Sequence, residues 1–570
     1  MTVSELIVKY MERLGIRCIF GMPGAHILPV YDGLYASTIQ TVLAKHEQGA
    51  SFMAGGYARV SGGIGACIAT AGPGATNLVT GIANAYADRQ PVLAITGETS
   101  THVFGRGGLQ ESSGEGGSID QGLLFQGITR YHKIVERPDY LANVLNRTSQ
   151  VLLSTNPGPV LLSVPFNVQN EHVDAAMLED INFSFQENTG QTCFSPSTVL
   201  ELLGEAKCPV AIAGYGCIRA GAQEELVRLS HVMQMPVASS LKAKGVIDER
   251  SPFSLGSLGV SSSGQAYRYI VEKADLLLVL GASFNERTSY MWDRELVQGK
   301  KIIQVDIDAN QLQKVLQADV AVNGDIRVVL QELLQQVIGP PWEFPVGSTE
   351  EEIQNLIADG LREVQYPDLT SGKGPAAVKD DGYAVFQSGF SLVEKFFHRL
   401  EQHFPQGVRI FDDNIIFAQN FFRVSSGNRY YPNSGISSLG HAIPAAIGAQ
   451  FHHAAPSFAI LGDGGFQMCC MEIMTAVNHG KPLNILVFSN ATMGLIRKNQ
   501  HQQYRRRFIA CDFTNPDFQQ LALSFGIAYQ RIETEADIGK LFAEVDLVNA
   551  INLIEMPLDK DQFPNYSSRR

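Results

Sequence analysis

An acidic residue, an amide and closely set glycines occur in this chain in a pattern that suits a divalent cation and a phosphorylated ligand. Gly462-Asp463-Gly464 is followed, after a helix-length interval, by Asn490-Ala491-Thr492-Met493-Gly494. A carboxylate, an amide oxygen and a loop carbonyl are hard donors for a cation that keeps phosphate oxygens among its ligands. Glycines let the backbone approach a diphosphate, and the N–H groups opening the next helix favour an anion. Gly462-Asp463-Gly464 alone also reads as an ordinary Rossmann-like turn with a capping Asp; the downstream Asn-x-x-x-Gly favours the cation site. A second set lies near the other end of the chain. Glu47, in Ala44-Lys45-His46-Glu47-Gln48-Gly49-Ala50, precedes a helical stretch through Arg59, where an acid complements the helix dipole. Gly72-Pro73-Gly74-Ala75-Thr76-Asn77 then opens another helix after a strand-like run.

These residues need strand ends to hold them. Residues 457–461 and 484–489 predict buried parallel strands. A helix from about Phe466 to Asn478, stopped by His479-Gly480-Lys481-Pro482, makes this a βαβ unit whose two strand ends face one crevice. Strand and helix signals alternate through the whole chain, which predicts an α/β fold of three doubly wound parallel-sheet domains. The expected limits are 1–170, a central Rossmann-like domain 190–338, a linker 339–388 with an acidic helix over about 350–364, a C-terminal domain 389–558 and a tail 559–570.

With 570 residues, 45% hydrophobic and 18% charged, the chain has core enough for about three or four domains. A net charge of −13 argues against nucleic acid as a partner, since a phosphate backbone needs a basic face. The eight cysteines show neither CxxC nor zinc spacing and fit small core residues of a reduced compartment. No apolar run reaches membrane-spanning length and no signal segment opens the chain, so a cytoplasmic location without membrane contact is expected.

His46-Glu47-Gln48-Gly49-Ala50, Gly72-Pro73-Gly74-Ala75-Thr76-Asn77, Gly462-Asp463-Gly464 and Asn490 together resemble thiamine-diphosphate-dependent decarboxylases and carboligases. Within these, the chain is most similar to the catalytic (large) subunit of acetolactate synthases over nearly its full length, including residues 434–449 and 281–287. The resemblance implies an N-terminal pyrimidine-binding and a C-terminal diphosphate-binding domain. It implies that Glu47 bonds the cofactor's aminopyrimidine and that Leu439 is the apolar wedge beneath the cofactor. Asp463, Asn490 and the Thr492 carbonyl become magnesium ligands, with Asn414, Gly464 and Gly465 at the diphosphate. Gly72, Asn77, Ile415, Gly462, Met493 and Gly494 complete the cofactor-binding set. Active sites between the subunits of a homodimer or homotetramer are implied as well.

On the substrate side the resemblance points to Gln110 and His26 as catalytic residues, His26 through a Gly-Ala-His shared with benzaldehyde lyase. Gly24, Ala25, Gln110 and Arg287 would meet substrate. A solvated amide, a structural histidine and a salt-bridged arginine are the plain readings of Gln110, His26 and Arg287. Three features depart from acetolactate synthases. Asp412-Asp413-Asn414 replaces their Gly-Gln-His segment, and Asn499 stands where they carry a tryptophan that selects 2-oxobutyrate. The Gly/Ser-rich stretch 111–120, with three acids, reads either as a flexible surface loop or as a lid for a polar or cationic acceptor. FAD is possible but doubtful: Arg287 and Asp306-Ile307-Asp308 resemble part of a flavin surface, whereas 242–246 resembles flavin-free relatives. The expected activity is decarboxylation of pyruvate or a similar 2-oxo acid, with transfer of the acyl anion equivalent to a carbonyl acceptor. The alternatives are a benzaldehyde-lyase-like carboligase, a simple 2-oxo acid decarboxylase, and a non-catalytic paralogue that binds the cofactor.

Overall fold

The run Leu276–Leu280 is buried along its whole length, as only a strand covered on both faces can be. Leu276, Leu278 and Leu280 enter one core cluster and Leu277 and Val279 another, the two-residue alternation of a central strand. The computed structural model, which describes residues 1–183, 194–338 and 381–564, repeats this arrangement three times. The first sheet contains β1 (Cys18–Gly21), β2 (Gln40–Leu43), β3 (Gly65–Ala69), β4 (Val92–Glu98), β5 (Tyr131–Ile134) and β6 (Val160–Pro165). The second contains β7 (Pro209–Ala213), β8 (Val237–Ser240), β9 (Ser254–Leu258), β10 (Leu276–Leu280), β11 (Lys301–Asp306) and β12 (Val320–Asn323). The third contains β13 (Arg409–Asp412), β14 (Arg429–Pro432), β15 (Ser457–Gly462), β16 (Leu483–Ser489), β17 (Ala528–Arg531) and β18 (Ile551–Pro557). Helices connect the parallel strands, so the expected α/β class of three doubly wound sheets holds.

The first and third sheets have the same strand order, β2-β1-β3-β4-β6-β5 and β14-β13-β15-β16-β18-β17. In each, the connections leaving the first and third strands run in opposite directions, which opens a crevice at their carboxyl ends. The second sheet runs β9-β8-β7-β10-β11-β12, the order found in dinucleotide-binding domains.

The chain packs as two units. Met1–Glu187, Val408–Ile415 and Tyr431–Phe563 form one; Asn188–Gly407, Ile416–Tyr430 and Pro564–Arg570 form the other. In the first unit the amino- and carboxyl-terminal sheets share a core cluster, to which Phe20, Met53 and Tyr57 contribute from one end of the chain and Ile443, Phe466 and Phe518 from the other. The helices Glu47–Ser61 and Ala442–His452 cross with their backbones touching. A Cβ at Gly56 would stand 2.1 Å from the Ala445 carbonyl oxygen, and one at Gly448 would stand 2.0 Å from that of Met53. Gly56→Val is therefore expected to destabilise the protein at or above the top of the about 1–3 kcal/mol range for overpacking, because a helix carbonyl cannot turn aside. Urea unfolding of the variant against the parent measures the loss.

The acidic helix expected over 350–364, and Cys193, lie outside the described residues. The end of the expected linker is helical, in Asp381–Gly389. The described cysteines are free. No helix among the described residues is long and apolar enough to cross a membrane.

Candidate active site

The crevice of the first sheet collects residues from the loops after β1, β3 and β4. Gly24 lies so close to Thr70 that a Cβ on it would sit 2.5 Å from the Thr70 Cβ. His26 follows in a short turn and places Nδ1 3.2 Å from Gln110 Oε1. Thr70 Oγ1 donates to the same oxygen at 3.4 Å. An amide oxygen only accepts, so in this orientation it faces Nδ1 and the Thr70 hydroxyl as donors, and the Gln110 Nε2 hydrogens point elsewhere. Ala25 is exposed beside them. Gln110 holds a left-handed φ of 58° and packs over Gly72, itself at φ 60°, where a Cβ would come within 3.0 Å of the Gln110 Cβ.

Glu47 is not ahead of its helix but its first residue, with the His46 ring accepting the Gln48 N–H at 3.1 Å as the cap. Its side chain is 9% exposed. Asn77 Nδ2 donates to Glu47 Oε2 at 3.0 Å, and Oε1, near Gly74, has no hydrogen-bond partner among the described residues. The loop that ends at Glu47 is held from the far end of the chain: Glu472 accepts the His46 N–H at 2.9 Å and the Lys45 N–H at 3.1 Å. This explains a departure from the sequence reading. The helix expected over about 466–478 starts at Asp463 and breaks at a tight turn, Cys470–Glu472, which aims the buried Glu472 at those N–H groups.

The third sheet presents the cation-type residues at the ends of β15 and β16, which pair in parallel with Gly462 opposite Phe488. Asp463 is 1% exposed. Its Oδ2 accepts the N–H groups of Asn490 at 2.8 Å and Ala491 at 2.6 Å, and Asn515 Nδ2 at 2.8 Å. Among the described residues Oδ1 accepts only the Gly464 N–H, at 2.9 Å, and keeps a lone pair. Thr492 faces Asp512 in an isolated antiparallel bridge closed by Met493 N–H to Cys511 and Phe513 N–H to Ala491. In that register the Thr492 carbonyl points away from the ladder. Asp463 Oδ1, Asn490 Oδ1 and the Thr492 carbonyl thus form a donor set with the chemistry a hard cation needs. The glycines leave room where side chains would intrude: a Cβ at Gly464 would meet Met493 Sδ at 2.6 Å and one at Gly465 would meet Asp413 Oδ2 at 2.8 Å. Gly494 opens the helix that follows, against Asn490.

Asp413 and Asn414 leave β13 on the other side of that crevice. Asp413 accepts the Gly440 N–H at 2.7 Å and Asn433 Nδ2 at 2.8 Å, bracing the turn that carries the half-buried Leu439. Burial raises its carboxyl to about 7 against those hydrogen bonds. Asn414 takes a left-handed φ of 65°, and the Ile415 N–H donates to Asp412 Oδ1 at 2.6 Å. Asn433 Oδ1 and Ser434 Oγ in the same turn are buried with no partner among the described residues. His441, next in the chain, stacks edge-on against Phe52 at 5.1 Å, and burial pulls it down to about 3. It stays neutral in the fold while the unfolded chain takes a proton below its ordinary pKa. Stability on this account falls as pH drops from about 6.5 towards 3, at most about 1.4 kcal/mol per unit. His441→Phe is expected to flatten that acid limb, read from urea midpoints at pH 7, 6 and 5.

Sequence reasoning missed Thr70, Asn433, Glu472 and Asn515, whose roles depend on partners distant in the chain. The stretch 111–120 is not uniformly exposed. Glu111 and Ser112 are buried, Asp120 caps the helix Gln121–Gln126, and 114–117 and Ile119 are exposed. In the second unit Arg287 is exposed in the turn after β10, its carbonyl accepting the Val260 N–H at 3.0 Å. The Gly214-Tyr215-Gly216 turn after β7 is closed on its own sheet: Gly214 and Gly216 N–H donate to Leu280 and Gly281 at 2.8 and 3.2 Å. Those two groups are engaged there and do not present themselves to a flavin phosphate. Asn499 is exposed on the helix Gly494–Gln503.

A sheet crevice that orients a buried glutamate, in the same unit as a second crevice with an Asp-Asn-carbonyl donor set, defines a class of enzyme. The chain belongs to the thiamine pyrophosphate enzyme family, with the N-terminal TPP binding domain over residues 1–116, the central domain over 197–333 and the C-terminal TPP binding domain over 414–554. It is a thiamine-diphosphate-dependent enzyme. Among curated proteins it is 31% identical to the probable acetolactate synthase large subunit of Methanocaldococcus jannaschii, over 98% of this chain and 92% of that one. It is also 31% identical to the acetolactate synthase large subunit of Corynebacterium glutamicum, over 94% and 83%. The large subunit of Escherichia coli acetolactate synthase isozyme 1 matches at 31% as well, over 98% and 94%.

Proposed function

We propose that this enzyme is an acetolactate-synthase-like carboligase, which decarboxylates pyruvate or a similar 2-oxo acid and joins the remaining acyl unit to a carbonyl acceptor. The observation that carries this is the paired equipment of one chain: Glu47 oriented by Asn77, and Asp463 braced by four N–H donors beside Asn490 and Thr492. The similarity to acetolactate synthases over nearly the whole chain supports the reaction class. Asp463, Asn490 and the Thr492 carbonyl would hold magnesium, and Gly464, Gly465 and Asn414 would receive the diphosphate. When bound, thiamine diphosphate supplies the electron sink that decarboxylation of a 2-oxo acid requires. Glu47 would meet the cofactor's aminopyrimidine through Oε1, the oxygen that Asn77 does not bond. Leu439 would supply apolar surface beneath the cofactor, and a guanidinium such as that of Arg287 would suit a second carboxylate. Gln110 Nε2 and His26 Nε2 offer a donor and an acceptor to a reacting oxygen.

Domain limits of 1–170, 190–338 and 389–558, a homodimer or homotetramer with active sites between subunits, and a cytoplasmic location belong to the same proposal. Flavin has no part in it; a yellow protein with stoichiometric FAD would contradict this. The His26–Gln110 pair favours a second reading, a benzaldehyde-lyase-like carboligase. The test is incubation with thiamine diphosphate, magnesium, labelled pyruvate and a panel of carbonyl acceptors, with products identified by mass. A carbon–carbon coupled product is expected. Free aldehyde alone would make the enzyme a plain decarboxylase, and cofactor binding without turnover would make it a non-catalytic paralogue.

A further inference from the structure

Gln110 sits in a conformation that an L-residue adopts at a cost, so the surrounding structure must impose it. The two residues that follow it supply the restraint. Glu111 folds back under the loop and accepts the N–H groups of Gly105 at 2.5 Å, Gly107 at 3.1 Å and Gly108 at 2.9 Å, together with the Ser113 hydroxyl at 2.8 Å. Two of these glycines are left-handed, at φ 73° and 77°, so that successive N–H groups converge on one carboxylate. Ser112 is fully buried; its N–H and hydroxyl donate to Glu98 at 3.0 and 2.7 Å, and its oxygen receives the Gly72 N–H at 3.4 Å. Gln110 is thus clamped on its carboxyl side by two carboxylates, while its amide oxygen is engaged by Thr70 and His26. Its Nε2 has no partner among the described residues.

We propose that Glu111 is a positioning residue that holds Gln110 over Gly72 with its amide N–H groups turned outward for the carbonyl acceptor, so that this internal carboxylate sets the efficiency of coupling. The inference rests on the carboligase reading above. In Glu111→Gln an amide NH2 would face either the Gly107 and Gly108 N–H donors or the Gly105 N–H with the Ser113 hydroxyl, and the loop would release Gln110.

The test is a double-mutant cycle on the holoenzyme. Glu111→Gln and Gln110→Ala are each expected to lower kcat/KM for the acceptor at least about tenfold, and the double variant to fall no more than about twofold below Gln110→Ala, the signature of two residues acting as one. Losses that multiply would overturn the proposal. Amide hydrogen exchange over 104–113, read without turnover, is expected to quicken in Glu111→Gln; unchanged exchange would overturn it independently. If the parent forms no coupled product, the carboligase reading fails while the exchange measurement still decides what Glu111 holds. Ser113→Ala, which removes one donor to the same carboxylate, is expected to show a smaller loss of the same kind and replaces Glu111→Gln should that variant not fold.

Discussion

Glu47→Gln is expected to lower thiamine-diphosphate-dependent turnover by about 100- to 10,000-fold, the range that a positioned acid–base group contributes. The substitution keeps the shape of the side chain and an oxygen for Asn77, whose Nδ2 donates to Oε2 at 3.0 Å. It removes only the ability to hold a proton at the other oxygen, which Asn77 does not bond. The helix start is unaffected, because the His46 ring caps it and Glu472 holds the preceding N–H groups. Cofactor affinity should therefore change far less than turnover. Thiamine diphosphate titration, paired with the rate at which its acidic carbon-bound proton exchanges into deuterium oxide, separates the two. Unchanged turnover would sink the role proposed for Glu47.

Asp463→Asn is expected to weaken thiamine diphosphate retention in magnesium by more than about 100-fold, beyond the 10- to 100-fold that loss of an outer-shell partner costs a metal site. Oδ2 receives three N–H donors and Oδ1 one. An amide nitrogen on the Oδ2 side would oppose donor to donor, and each buried donor left unsatisfied costs about 1–3 kcal/mol. On the Oδ1 side it would remove the anionic ligand instead. Both orientations damage the site, so the apoprotein should also melt earlier. Equilibrium dialysis of the cofactor at rising magnesium, with thermal unfolding of the apoprotein, distinguishes the two losses. A variant that retains cofactor like the parent would dismiss Asp463 as a metal ligand.

The strands that carry these residues were legible because parallel strands buried on both faces read as continuous apolar runs. Leu276–Leu280 and Leu483–Ser489 stand where such runs occur, and Asp463 and Asn490 follow strand ends as expected. Local chemistry was equally plain: an Asp, an Asn and glycines at fixed offsets specify a type of donor whatever surrounds them. Those signals are short-range, depending on a residue and the few beside it.

Contacts between distant parts of the chain were not legible. Gly56 meets Ala445 and Gly448 meets Met53 across two helices, Glu472 closes the loop before Glu47, and Asn515 completes the shell of Asp463, each pairing selected by packing rather than by a nearby pattern. The loop after Gln110 shows the difference most clearly. Its glycines, serines and acids read as a flexible surface loop or as a lid for the acceptor, because composition records polarity and not direction. Only the fold turns Glu111 inward onto three backbone N–H groups and brings Ser112 against Glu98. From its sequence alone the protein was readable as a cofactor-dependent α/β enzyme with named donors. Which side chains are free to meet substrate was decided by tertiary structure, because a buried carboxylate must be satisfied by partners that the chain delivers only on folding.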